Sequence, residues 1–541
     1  MLRLKSMLQG EIMKKPENLE KIPWPEVMTL IWGCFMAILD TSIVNTALPT
    51  MRATFGGDAD SVQWVVTAYM LTSGMVIPVT GFLCDRFGNK RIYLISLSIF
   101  IGGSVLCAAA TSNNFLIFAR VIQAIGGGII MPVSMSMIRI IVPREKMGMA
   151  MGIWGVSAMG APSIGPTLGG YIVVHLGWQW IFTINLPIGI IAIVLGLIIL
   201  RETPQKTGLK LDVLGFILSA SACFALLLAL SKGQDEGWTS LYIVSLLIYT
   251  VGASVLFVLW ENTTEQPLID LQLLKNRTYC ISILAVSLSN IAMYSITFLI
   301  PIYSQNIRGL TALQSGQVTM PSALAIALMM PVSGRLFDRF GAAPLCVAGF
   351  SIAGYYSYQL HTLTADTSFT DMQWILVKRA IGLGLAMMPV STAGINTIPK
   401  QLAARASAIN NVVRQIAGSF GIALITYVMM HRQIYHNAWL SETLNWSSSA
   451  TVIAVKNLQS TVIHHGISSS AVMARYCAEE LLGMSLQQQA YLASVNDAML
   501  VPAIIVSLTV PLGFFLNKKA VENENSKQHA RLIQPASSKT L

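Results

Sequence analysis

Gly81-Phe82-Leu83-Cys84-Asp85-Arg86-Phe87-Gly88 and Gly334-Arg335-Leu336-Phe337-Asp338-Arg339-Phe340-Gly341 are two copies of one phrase, with glycine at both ends and Asp-Arg-Phe between. Each follows an apolar run long enough to cross a bilayer and precedes another. A charged, glycine-framed turn recurring half a chain apart divides the sequence into two related halves. Paired membrane-embedded halves are the architecture of a transporter.

Composition agrees with a polytopic membrane protein. The chain has 541 residues, 54% hydrophobic and 11% charged, with mean hydropathy +0.62; soluble domains carry roughly 25% charged residues. Reading windows of ~20 apolar residues gives fourteen spans: 26–48, 62–83, 92–110, 115–139, 147–173, 180–200, 212–231, 240–260, 280–303, 312–334, 345–361, 373–396, 405–430 and 497–516. The first is a true span rather than a cleavable signal. An even number puts both termini on one side. That side carries 25 lysines and arginines against six opposite, so both termini are expected in the cytoplasm. This placement accounts for the net charge of +10 without a nucleic-acid partner. The segment 431–495 is the one long outer connection, and Ala471 to Asn496 within it reads as helical. The seven cysteines have neither metal-ligand nor redox spacing. No zinc-protease or phosphate-loop motif occurs and the His464-His465 pair is isolated, so neither an enzyme nor a resident metal is expected.

Asp40 is the only carboxylate deep inside a span. An ionised acid at that depth faces a cavity or a partner and is functional by default. It can serve proton coupling, or be a structural acid that caps a broken helix or pairs permanently with arginine. Arg120, in the fourth span, cannot discharge; Asp40 is its available partner, either to modulate proton affinity or to pack two helices. The fifth span carries many glycines with Pro162 and Pro166, a pattern for close helix packing and bending. In the repeated turns Gly81, Asp85, Arg86, Gly88, Arg91, Asp338 and Arg339 are candidates for a cytoplasmic gate, or a plain topology signal. Asn45, Gln123, Asn410, Asn411 and Arg414 are candidate lining of a substrate cavity.

Together these stretches resemble the major facilitator superfamily, and within it the fourteen-span drug–proton antiporters of the EmrB and QacA type. The resemblance rests on Leu39-Asp40-Thr41-Ser42-Ile43-Val44-Asn45, the turn from Gly81 to Arg91, Arg120-Val121-Ile122-Gln123, the fifth-span element from Ala161 to Gly170 with Pro162, Gly165, Pro166, Gly169 and Gly170, and the stretch from Trp178 to Gly189. It implies an all-α fold of two pseudo-symmetric six-helix bundles with two inserted helices. The expected layout is an arm at 1–25, a first bundle at 26–200, the inserted pair at 201–265, a second bundle at 266–516 and a tail at 517–541. It further implies proton-driven export of apolar compounds from the inner membrane without a cofactor, with Asp40 and Arg120 in coupling. In a Gram-negative cell, a periplasmic adaptor and outer-membrane channel would extend the path. A proton-coupled importer of a small metabolite and a non-transporting membrane sensor are the alternatives.

Overall fold

The computed structural model describes residues 22–56, 59–143, 146–206, 208–443, 449–464 and 470–516. Residues 1–21 of the expected arm, the tail 517–541 and His465 lie outside them. Among the described residues the chain is helical. In lipid this is forced, because every backbone polar group must find its partner inside the segment.

The first half consists of α1 Trp24–Phe55, α2 Ala59–Val76, α3 Thr80–Phe87, α4 Asn89–Ala108, α5 Asn113–Ile141, α6 Met147–His175, α7 Trp180–Thr183 and α8 Asn185–Ile199. Next come α9 Val213–Glu236 and α10 Leu241–Thr263. The second half has α11 Arg277–Ile302, α12 Ala312–Phe340, α13 Ala342–Gln359, α14 Phe369–Asn396, α15 Ala403–Thr443, α16 Ser449–His464, α17 Ala471–Ser507 and α18 Thr509–Phe515. Twelve of the expected spans fall in helices long and apolar enough to cross a membrane. The remaining two, 147–173 and 345–361, are also helical, as α6 and α13.

Helix ends follow local chemistry. Ser112, Ser240 and Ser368 accept from the amides of Phe115, Ile243 and Asp371, and Thr311 with Gln314 forms a capping box at α12. The repeated turns end their helices on Gly88 and Gly341, at φ 88° and 82° with extended ψ, a conformation essentially limited to glycine.

Each half is a bundle. In the first, α1 packs on α6 and α8, and α5 on α2 and α4; in the second, α14 packs on α12 and α13, and α15 on α11 and α17. The halves meet along two seams, α6 with α12 and α15 with α3 and α5. The inserted α9 lies against both α2 and α15. Asp212 fastens α9 to α10, accepting from Gly215 N at 2.9 Å and Trp260 Nε1 at 2.8 Å.

The segment expected to be an outer connection, 431–495, is helical over 431–443, 449–464 and 471–495. α15 continues past the expected end of its span at 430 to Thr443, because no glycine or proline interrupts 422–443. α17 likewise enters its span as one helix from Ala471, and α16 packs on it.

Candidate functional site

A fully buried polar cluster lies inside the first half. α1 brings Asp40, one turn of α5 brings Arg120 and Gln123, α4 brings Ser104 and the start of α8 brings Asn185. All five are at most 1% exposed. Arg120 Nη1 donates to Asp40 Oδ2 at 2.6 Å and to Gln123 Oε1 at 2.7 Å. Gln123 Nε2 and Asn185 Nδ2 donate to Asp40 Oδ1 at 3.0 and 2.6 Å. Ser104 Oγ accepts from both amides, at 2.8 and 3.3 Å. Arg120 Nε donates to Val65 O at 3.2 Å, and its guanidinium lies 4.1 Å from the centre of the Tyr69 ring. A buried charge is tolerable only when paired and hydrogen-bonded, and here both partners are.

Of the candidate cavity residues, Gln123 therefore belongs to the collar around Asp40. Asn45 is exposed and donates to Thr41 O at 3.2 Å; neither residue lines the cavity between the halves. Asn185 and Ser104 were not singled out from the sequence. Asn185 carried a usable signal, as the only strongly polar residue in the apolar run of α8.

In the shape described that cavity is small, about 60 Å³, room for a few waters. Asn410, Asn411 and Arg414 of α15 line it, with Trp154 of α6, Asn290 of α11 and five methionines. Arg414 donates to Asn411 Oδ1 at 3.2 Å and lies 6.0 Å from the Trp154 ring centre. Asp40 is not among the lining residues.

The basic face, which carries both repeated turns, is strapped shut. Asp85 is 8% exposed. Its Oδ2 meets Arg405 Nε of the other half at 3.2 Å and Lys206 Nζ at 2.9 Å. Gly81 lets the backbone of Arg405 approach: a Cβ there would lie 3.1 Å from Arg405 Cα. Asp338 accepts from the amides of Gly148 and Met149 at the start of α6, at 3.0 and 3.3 Å. Arg139 donates to the carbonyls of Ile395 and Ile398 across the seam. Arg86 donates to Leu209 O within its own side of the seam. The Arg91 side chain is exposed, while its amide and that of Lys90 donate to the Glu202 carboxylate at 3.2 and 3.1 Å, anchoring α4. Arg339 is exposed, over the Phe340 ring. Arg405, Lys206 and Arg139 entered the sequence reading only as topology charges.

The motif in α6 serves two contacts. Near the basic face, Gly148 and Gly334 touch so closely that a Cβ on Gly334 would sit 2.1 Å from Gly148 O. Further along, α6 packs within its own half: Cβ atoms at Gly165 and Gly169 would lie 2.3 and 2.4 Å from the Ser42 and Thr46 hydroxyls. Pro166 has no N–H for the carbonyl four residues before it. That carbonyl, Pro162 O, accepts instead from Ser42 Oγ at 2.8 Å. The freed acceptor thus ties α6 to α1, and the helix runs on unbroken. No atom lies near a Cβ built at Gly170.

Two related helical bundles, a cavity at their seam and straps on one face define a multi-pass membrane transporter. The Major Facilitator Superfamily model matches residues 30–422, and the chain belongs to that family. It is 36% identical over 447 residues to an uncharacterized MFS-type transporter, YhcA, of Bacillus subtilis, covering 83% of this chain and 84% of that one. It is 32% identical to the lincomycin resistance protein LmrB of Listeria monocytogenes, covering 75% and 86%. The multidrug export protein EmrB of Escherichia coli is 31% identical, covering 77% and 82%. Among solved structures, human MFSD10 covers 91% of this chain and all of its own, with TM-score 0.59 and 12% identity. The proton:xylose symporter XylE has TM-score 0.57 at 12% identity, covering 91% of this chain and 97% of its own. These two speak for the fold.

Proposed function

We propose that this protein is a proton-coupled efflux antiporter that exports hydrophobic or amphipathic toxic compounds by alternating access. The observation that carries this reading is the Asp40–Arg120 pair, one deep carboxylate with its charge balanced inside a transporter half. The relatives named for multidrug export and lincomycin resistance support drugs as the cargo. In the shape described, Asp40 accepts from three donors. A proton on Oδ2 would displace Arg120 and leave a buried cation unbalanced. That penalty is the lever by which protonation favours another conformation. Because Asp40 stands away from the cavity lining, substrate and proton compete through conformation rather than through shared contacts.

The basic face is then cytoplasmic, and the shape described is closed to the cytoplasm. Each entering proton contributes ~2.3 kcal/mol per 100 mV, so the proton gradient suffices without a cofactor. In a cell with an outer membrane, the helices of 431–495 would offer a docking surface to an adaptor and channel.

Everted vesicles given a proton gradient test this. Wild-type protein accumulates members of a panel of anionic, neutral and cationic fluorescent amphiphiles. Asp40→Asn inserts normally and accumulates none against a gradient. Gradient-driven accumulation by the variant at the wild-type rate removes Asp40 from the mechanism.

A further inference from the structure

The cavity at the seam has an unusual charge. Of its sixteen lining residues Arg414 alone is charged. Among the described residues no carboxylate forms an ion pair with it; its hydrogen bonds go to Asn411 Oδ1 and the Met131 sulfur. This contrasts with Arg120, whose charge is met by Asp40 at 2.6 Å. A guanidinium in a partly desolvated pocket without a counter-ion attracts anions and repels cations. Its five donors fit a carboxylate or sulfonate better than any neutral acceptor.

A second polar atom points the same way to a ligand. Asn290 is wholly buried and lines the cavity. Its Nδ2 donates to Val286 O at 2.7 Å, which fixes the amide's orientation, since the opposite flip would set oxygen against oxygen. Its Oδ1 is itself buried and has no partner. A buried acceptor of this kind is normally satisfied, and a ligand N–H or O–H would do so. The rest of the wall is adaptable and apolar: Met135, Met151, Met330, Met387 and Met388, with the Trp154 ring.

Resting on the efflux reading, we propose that the substrates are amphipathic organic anions: a carboxylate, sulfonate or phenolate meets Arg414, a donor group reaches Asn290 Oδ1, and an apolar ring system lies against Trp154 and the methionines. Lipophilic cations are rejected.

The test uses purified full-length protein in detergent and three probes: the anion 1-anilinonaphthalene-8-sulfonate, its neutral parent N-phenyl-1-naphthylamine, and the cation tetraphenylphosphonium. Wild-type protein binds the sulfonate at least about tenfold more tightly than either other probe, the scale of one charge-assisted hydrogen bond. Arg414→Gln removes that preference while leaving the neutral probe's affinity unchanged, and Arg414→Lys restores part of it. Wild-type protein that binds tetraphenylphosphonium as tightly as the sulfonate overturns the proposal without any variant, and so does an anion preference that survives in Arg414→Gln. Because binding is read without a gradient, anion selectivity with no transport in vesicles would sink the efflux reading and leave this one standing. Transport of cations indifferent to Arg414 would do the reverse.

Discussion

The two halves of the molecule each bury an arginine, and only one gives it an acid. Arg120 of α5 meets Asp40 and a collar of amides. Arg379 of α14, the corresponding helix, is also buried, and donates to Ser357 Oγ at 3.0 Å and to Ala292 O at 3.3 Å. Near the middle of α11, as Asp40 is near the middle of α1, stands the neutral Asn290, one of the residues lining the cavity. The second half has the buried cation without a carboxylate beside it among the described residues. The first half holds a buried carboxylate–arginine pair, and the second contributes much of the cavity wall, including Arg414. The halves are alike in backbone and different in chemistry.

The largest effect should come from removing each arginine in turn. Arg120→Met strands Asp40 without its cation; breaking a buried pair on one side costs about 3–5 kcal/mol. Among the described residues Arg379 has no carboxylate partner, so Arg379→Met strands no buried charge. Thermal unfolding in detergent should show a clear drop for the first variant and none for the second. Equal drops would mean that the two arginines do the same structural work and that the asymmetry is superficial.

The feature the halves share should yield similar penalties. Gly88 and Gly341 hold the same glycine-only conformation, so Gly88→Ala and Gly341→Ala should each cost about 1–3 kcal/mol. A Cβ at Gly88 would also meet Glu202 Oε1 at 2.3 Å, so that carboxylate must shift from the amides of Lys90 and Arg91. Denaturation of the two variants measures both costs. A tolerated alanine at either position would show that the turn relaxes and that the repeat there is sequence without constraint.

How far the sequence could be read follows the same division. Hydropathy located the helices because lipid leaves no other backbone solution, and the glycine-framed turns were visible because their residues cannot be exchanged. Asp40 and Arg120 were legible as charges where charge is costly. Gln123 was legible as polar but not as to which side it faces: a one-turn spacing from Arg120 suits both the collar and the cavity. Asn45 misled for a related reason, since an amide in a span can satisfy itself on the carbonyl one turn back, as it does on Thr41. Arg405 and Lys206 looked like positive-inside markers. Only the fold brings residues so far apart in sequence to Asp85.

The turns supply the smallest effect and the finest comparison. Asp85 and Asp338 occupy the same place in the two phrases, yet Asp85 is buried between two cations from distant segments, and Asp338 is exposed and caps the start of α6. Removing a charge-assisted hydrogen bond from a buried acceptor costs about 1.5–3 kcal/mol, whereas an exposed carboxylate at a helix N-terminus is worth about 0.3–1 kcal/mol. Cys84, 1% exposed beside Asp85, reports the difference. With Cys84 as the sole cysteine, Asp85→Asn should raise its labelling by a membrane-impermeant maleimide, applied from the basic face, roughly tenfold or more, and Asp338→Asn by a few-fold at most. The Lys206 ion pair is half open to solvent, so Lys206→Gln should barely change labelling, which assigns the strap to Arg405. Were Asp338→Asn to expose Cys84 as strongly as Asp85→Asn, the two turns would be equal halves of one latch. The divergence in their partners would then carry no difference in function.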